Sequence, residues 1–179
     1  MSRRLFINIH LYLSAFFAGI VVLMALSGGL YLLGIKGETT DTEIARISGG
    51  RALLNDPSVD AVAAVLARAG VPDFAFGYAR ASGKRVYTRP TSETSYVMEV
   101  RGDTITVTRQ VPDLQKRMIE LHKGHGPRAF KTFQKIFAAG MVFIILSGVW
   151  LGLSAPRLRR PTLLAVGSGL LVFLGLMMA

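Results

Sequence analysis

Apolar positions in this chain gather into three blocks, roughly Leu5–Ile35, Phe130–Leu153 and Leu163–Ala179. The first two exceed the ~20 residues that a helix needs to cross a bilayer, and the third, at about 17, sits at the lower limit. The pattern predicts three membrane helices. The segments are then 1–35 (N-terminus and first span), 36–129 (a water-facing domain), 130–154 (second span), 155–162 (a basic connection) and 163–179 (third span). The first block is too long for an ordinary signal-peptide core, and no clear small-residue cleavage site follows it, so a retained signal anchor is expected.

Between the first two blocks the period changes. Asp56-Pro57 reads as an N-cap and first helical position. Val59, Val62, Val65 and Leu66 follow at helical spacing, and Gly70 ends the run. Phe74, Phe76 and Tyr78 alternate as in a strand. Ser82-Gly83 is a turn, Lys84–Thr88 a second strand, and Tyr96, Met98 and Val100 mark a third. Arg101-Gly102-Asp103 turns into Thr104–Arg109, where Ile105 and Val107 alternate. Pro112-Asp113 opens a further helix with Leu114, Met118 and Leu121 on one face, broken by Gly124, Gly126 and Pro127. The reading is a small α+β unit, one helix followed by an antiparallel meander, inserted between the first and second spans.

Charge adds an orientation. The net charge is +10, but all 11 acidic residues lie between Glu38 and Glu120, interleaved with basic ones. Arg3 and Arg4, and Arg157, Arg159 and Arg160, flank spans with no acid nearby. That is the distribution of membrane orientation and not of a nucleic-acid groove. The N-terminus and residues 155–162 are expected inside, with 36–129 outside. Lys131 and Lys135, at the outer end of the second span, can snorkel. Tyr31 and Trp150 fit interfacial belts. The expected setting is a bacterial inner membrane.

The chain has no cysteine, which removes disulfides, thiolate metal sites and Cys-ligated iron–sulfur clusters. No nucleophile elbow, phosphate-binding glycine loop or HExxH pattern is present. Three histidines remain. His10 lies inside the first span, where a polar residue is costly and points to function, with a neutral interhelical hydrogen bond as the plain alternative. His122 and His125 stand in Leu121-His122-Lys123-Gly124-His125-Gly126 at the outer surface and could share a metal. A hydrocarbon core of ~30 Å separates the inner and outer levels, so His10 and His122 cannot both ligate one haem within a monomer. A haem at His10 would take its second ligand from His10 of another copy, from another subunit or from nothing, and one at His122 from a partner or from a methionine such as Met24 or Met141. The two long spans also share a step, Phe17-Ala18-Gly19 then Leu26-Ser27-Gly28 in the first, and Ala138-Ala139-Gly140 then Leu146-Ser147-Gly148 in the second. Gly19, Gly28, Gly140 and Gly148 are expected helix–helix contacts.

These residues carry a resemblance. Arg3-Arg4, Ile9-His10-Leu11-Tyr12-Leu13 and Leu26-Ser27-Gly28-Gly29-Leu30 resemble the opening helix of PepSY-associated transmembrane proteins. Leu121-His122 resembles the family's Leu-His before the next span. Leu146-Ser147-Gly148-Val149-Trp150-Leu151, followed by Pro156 and three arginines, resembles its second Ser/Thr-Gly step and basic exit. The resemblance covers nearly the whole chain and implies that 36–129 is a periplasmic PepSY-like module. Larger members look like inner-membrane reductases that bind haem b and release iron from ferric siderophores. Carried over by position, His10 and His122 are the haem-ligand candidates. His125 has no family counterpart. The larger members have more spans and often a further histidine in the first helix, absent here, which implies a homo-oligomer or another membrane subunit as partner. Three functions compete: a haem-b-linked electron-transfer component acting on ferric iron or ferric siderophores, a cofactor-free accessory subunit that binds through its outer domain, and metal-ion handling at His122 and His125.

Overall fold

A computed structural model of the protein describes residues 3–179. Among the described residues, three helices are long and apolar enough to cross a membrane: α1 (Arg3–Leu32), α5 (Arg128–Ser154) and α6 (Arg159–Met178). α6 begins earlier than the apolar block suggests because Pro161 lies in its first turn, where a missing N–H costs nothing. Between α1 and α5 in the sequence come β1 (Thr39–Ser48), α2 (Gly50–Asn55), α3 (Val59–Arg68), β2 (Tyr78–Ser82), β3 (Arg85–Arg89), β4 (Ser95–Arg101), β5 (Thr104–Pro112) and α4 (Leu114–His122). The chain divides into two compact units, Met1–Gly19 with Lys135–Ala179, and Ile20–Gln134. α1 and α5 contribute to both.

In the first unit, α1 packs on α5 through aromatic rings. Phe6 meets Trp150 edge-on at 4.6 Å and Phe143 at 6.0 Å, and Phe17 meets Phe137 at 5.4 Å. Phe17 is 2 % exposed. Its ring occupies the space where a side chain on Gly140 would stand, so that glycine sets the approach of the two helices. Gly19, expected to do the same, has no neighbour within contact distance.

The second unit holds a five-stranded antiparallel sheet in the order β1-β5-β4-β3-β2. One face carries Val86, Tyr96, Met98, Val100, Ile105 and Val107, and α2 and α3 cover it with Leu53, Val62, Val65 and Leu66. The opposite face is mostly polar, with Tyr87 and the buried Val97 among Arg85, Glu99, Thr106, Thr108 and Gln110.

Several elements differ from the periodic reading. β1 and α2 are additional. β1 carries a bulge between Glu43 and Ala45. The extra residue lets Ile44 and Ile47, three apart, both pack on the core, which breaks the alternation by which strands are recognised. The N-cap of α3 is Ser58, whose hydroxyl accepts from the Ala61 amide, while Asp56 ends α2. Phe74 and Phe76 lie before β2 and not within it. Their rings pack near-parallel against the core edge, and Phe74 meets Tyr96 edge-on at 4.6 Å. Asp113 is the N-cap of α4, as read. The buried face of α4 is Ile119 and Glu120, whereas Leu114 is 76 % exposed. Gly37, at φ +66°, passes so close to Asp113 and Lys116 that a Cβ there would collide with both, so only glycine fits.

Candidate functional site: two imidazoles held by serine–glycine steps

Two histidines are built into the same local arrangement, one in each unit. In the first unit, His10 of α1 faces Ser147 and Gly148 of α5. Its Nδ1 lies 2.7 Å from Ser147 Oγ. In the second unit, His122, the last residue of α4, faces Ser27 and Gly28 of α1. Its Nδ1 lies 2.9 Å from Ser27 Oγ. Both serines are buried, at 3 % and 1 % exposure.

The tautomers are tied to the serine hydrogens. A serine hydroxyl has one hydrogen to give. Ser27 Oγ also lies 2.7 Å from the Leu23 carbonyl, one turn back in its own helix, and Ser147 Oγ lies 3.0 Å from that of Ile144. With the hydroxyl hydrogens on those carbonyls, each Oγ accepts and each imidazole donates Nδ1–H; a hydroxyl turned to the ring reverses the roles. In the first arrangement the Nε2 atoms are left as bare lone pairs, and neither makes a hydrogen bond among the described residues.

The glycine after each serine makes room for the ring. A Cβ on Gly28 would stand 3.2 Å from His122 Cε1, and one on Gly148 would stand 3.3 Å from His10 Cε1. The Ser-Gly steps expected as helix contacts are therefore also histidine seats. His122 opens onto a mostly apolar pocket of about 260 Å³ lined by Ser27, Gly28, Tyr31, Ile119, His122 and Lys123.

His125 has other surroundings. Its Nδ1 lies 2.7 Å from Glu120 Oε2, and Lys123 and Thr91 also donate to that carboxylate. Burial pushes the Glu120 pKa up, but hydrogen bonds from Thr91, His125 and Lys123 outweigh it and hold the carboxyl at about 2. Burial lowers the His125 pKa, helped by the charges of Arg89 and Lys123, against the opposing pull of Glu120. A neutral His125 donating to an ionised Glu120 satisfies both. His122 and His125 thus take different partners, and no group of three or more His, Asp or Glu suited to a metal occurs among the described residues. Glu120 went unremarked in the sequence, and the two seating serines entered only as part of the repeated Leu-Ser-Gly step.

No protein-family model, curated protein or solved structure matches this chain.

Proposed function

We propose that the protein is a multi-pass inner-membrane component that carries electrons through haem b, with His10 and His122 as axial-ligand candidates and ferric iron or a ferric siderophore outside as acceptor. The observation that carries this reading is the pair of imidazoles held at Nδ1, with free Nε2 atoms. Histidines that ligate metal through one ring nitrogen almost always donate the other N–H to a fixed acceptor, which sets the tautomer and orients the ring. Here a buried serine stands as that acceptor at both sites when its own hydrogen goes to the helix carbonyl. A structural histidine would need no such arrangement twice, each time with a glycine clearing the ring.

The residues fit haem as a single axial ligand at each site. Each imidazole offers one nitrogen donor, and the sequence has no thiolate to compete. Haem b would supply a one-electron iron couple when bound. The chain's own part is to hold each imidazole by Nδ1 against a buried serine. A further ligand would come from another copy or another subunit. The apolar pocket at His122 is slightly below the ~300–1,000 Å³ of common ligand sites, which favours a partner that covers the remainder. The PepSY resemblance implies a helix on an antiparallel sheet for the outer domain, with which α3 on the sheet's apolar face is compatible although α2 joins it there, and the arginine clusters favour its placement in the periplasm.

The test is an oxidised and dithionite-reduced absorption spectrum of the detergent-purified protein, with pyridine haemochrome quantitation. The expected result is a Soret band with b-type reduced bands, lost in His10→Ala or His122→Ala. In Ser27→Ala and Ser147→Ala the bands should persist with an altered midpoint potential, because the imidazole loses its Nδ1 acceptor. A protein that stays colourless when expressed with haem precursor overturns the reading. So does colour that survives replacement of both His10 and His122.

A further inference from the structure

Away from the seated imidazoles, the second unit contains a polar cavity of about 260 Å³. Its floor is the sheet face opposite the apolar core, with Tyr87 of β3, Ser95 of β4 and Gln110 of β5, the last two paired in register. α4 forms a wall and presents Lys116, Glu120 and Lys123 at i, i+4 and i+7, one helical face. Arg89 and His125 complete the lining. A helix on a sheet ordinarily closes the gap with apolar side chains. Here polar side chains line the gap beside the apolar Val97 and Ile119, and a space is kept.

The charges in that space do not balance. Three cations, Arg89, Lys116 and Lys123, line the cavity with one carboxylate, Glu120, and Lys116 has a second acid, the capping Asp113, close by. Both oxygens of Glu120 are already engaged, Oε1 by Lys123 at 3.1 Å and Oε2 by Thr91 and His125 at 2.6 and 2.7 Å. Arg89 is nearly buried, with 13 % of its side chain exposed. It comes no closer than 3.7 Å to Glu120, and its Nε has no hydrogen-bond partner. Lys116 forms no ion pair among the described residues. Buried cations are normally paired, and concentrated positive charge in a walled cleft draws an anion.

We propose that this cavity is a binding site for a phosphate-type oxyanion, held by Arg89, Lys116 and Lys123, with Glu120 keeping the cations in position. Guanidinium and ammonium groups make strong charge-assisted hydrogen bonds to such oxygens. The cavity admits one small anion and not a polymer. α4 leads within a few residues to α5, so the phosphate has two sources, the headgroup of an anionic lipid and a free anion in the aqueous phase. The proposal is independent of haem.

The test uses the full chain in dodecyl maltoside, titrated calorimetrically with inorganic phosphate at low ionic strength. Saturable binding is expected, weakened tenfold or more in Lys116→Gln and unchanged in Lys84→Gln, which lies in the exposed β2–β3 turn. Lys116 bonds Asp113 through its backbone amide, so its side chain can change while the helix cap remains. An Arg89→Lys protein, keeping the charge but losing the fork, should bind at intermediate strength. Repeating the titration in micelles doped with phosphatidylglycerol separates the sources. Phosphate binding abolished there identifies a lipid headgroup, and binding retained identifies a free anion. No saturable binding in plain micelles, or undiminished binding by Lys116→Gln, overturns the proposal.

Discussion

At the scale of single residues, Glu120 concentrates several dependencies in one carboxylate. Its folded pKa of about 2 lies below the ordinary 4.5, so its ionised form stabilises the fold. That contribution is complete above about pH 4.5 and is lost as pH falls through about 2. His125, also lowered from its ordinary 6.5, acts in the same direction, because its unfolded form takes a proton first as the solution is acidified. Acid should therefore loosen the end of α4 selectively. The protection of the α4 amides, taken relative to their intrinsic exchange rates, is expected to fall between pH 5 and pH 3, and Glu120→Gln should flatten that dependence. An equal fall in the Gln protein would show that Glu120 is not the group responsible. None of this network was legible in the sequence. Glu120 is one of 11 acids, and its partner Thr91 lies 29 residues away across a strand connection. The histidines were legible as candidates, since a polar ring in an apolar run is conspicuous. Their seats were not, because the pairs join positions 137 and 95 residues apart.

At the scale of elements, what the sequence disclosed depended on whether a local rule acted alone. The Asp113 cap and the glycine turns at Gly70, Gly83 and Gly102, all at positive φ, follow from chemistry within a few residues. β1 escaped notice because its bulge sets the phase, and a bulge is imposed by the partner strand. The α3 cap was misplaced by two residues because Asp56-Pro57 and Ser58 both offer helix-start chemistry. Asp56 instead ends α2, too short a helix to announce itself. The cap is testable. Ser58→Ala should lower the stability of the sheet domain by about 1 kcal/mol, measured by urea titration followed through exchange of the α3 amides. Asp56→Ala should not open the first turn of α3. The reverse order of effects would restore the Asp56 assignment.

At the scale of the whole molecule, the apolar blocks gave the three helices almost to their ends, because bilayer thickness constrains length more tightly than any soluble fold does. The proposed orientation rests on the arginine clusters and can be checked directly. The chain has no cysteine, so any introduced thiol is unique. Glu93→Cys, in the exposed β3–β4 connection, should react with a membrane-impermeant maleimide on cells with permeabilised outer membranes. Arg159→Cys should react only after the inner membrane is opened. The opposite pattern would invert the topology and move the sheet domain to the other side.

The sheet domain is also closed by its own first and last residues. Thr39 pairs with Pro112 at one end of the β1–β5 ladder, and just outside that pair Glu38 and Asp113 clasp each other. The Asp113 amide bonds the Glu38 carbonyl at 3.0 Å, and the Asp113 carboxylate bonds the Glu38 amide at 2.8 Å. Entry and exit therefore lie side by side on neighbouring strands. Tension applied between residues 38 and 113 meets the ladder end-on and peels it one rung at a time, like a zipper, instead of shearing all rungs together. The Glu38–Asp113 clasp is the first rung to open. The domain is mechanically soft along the one direction in which its two connecting helices can pull on it.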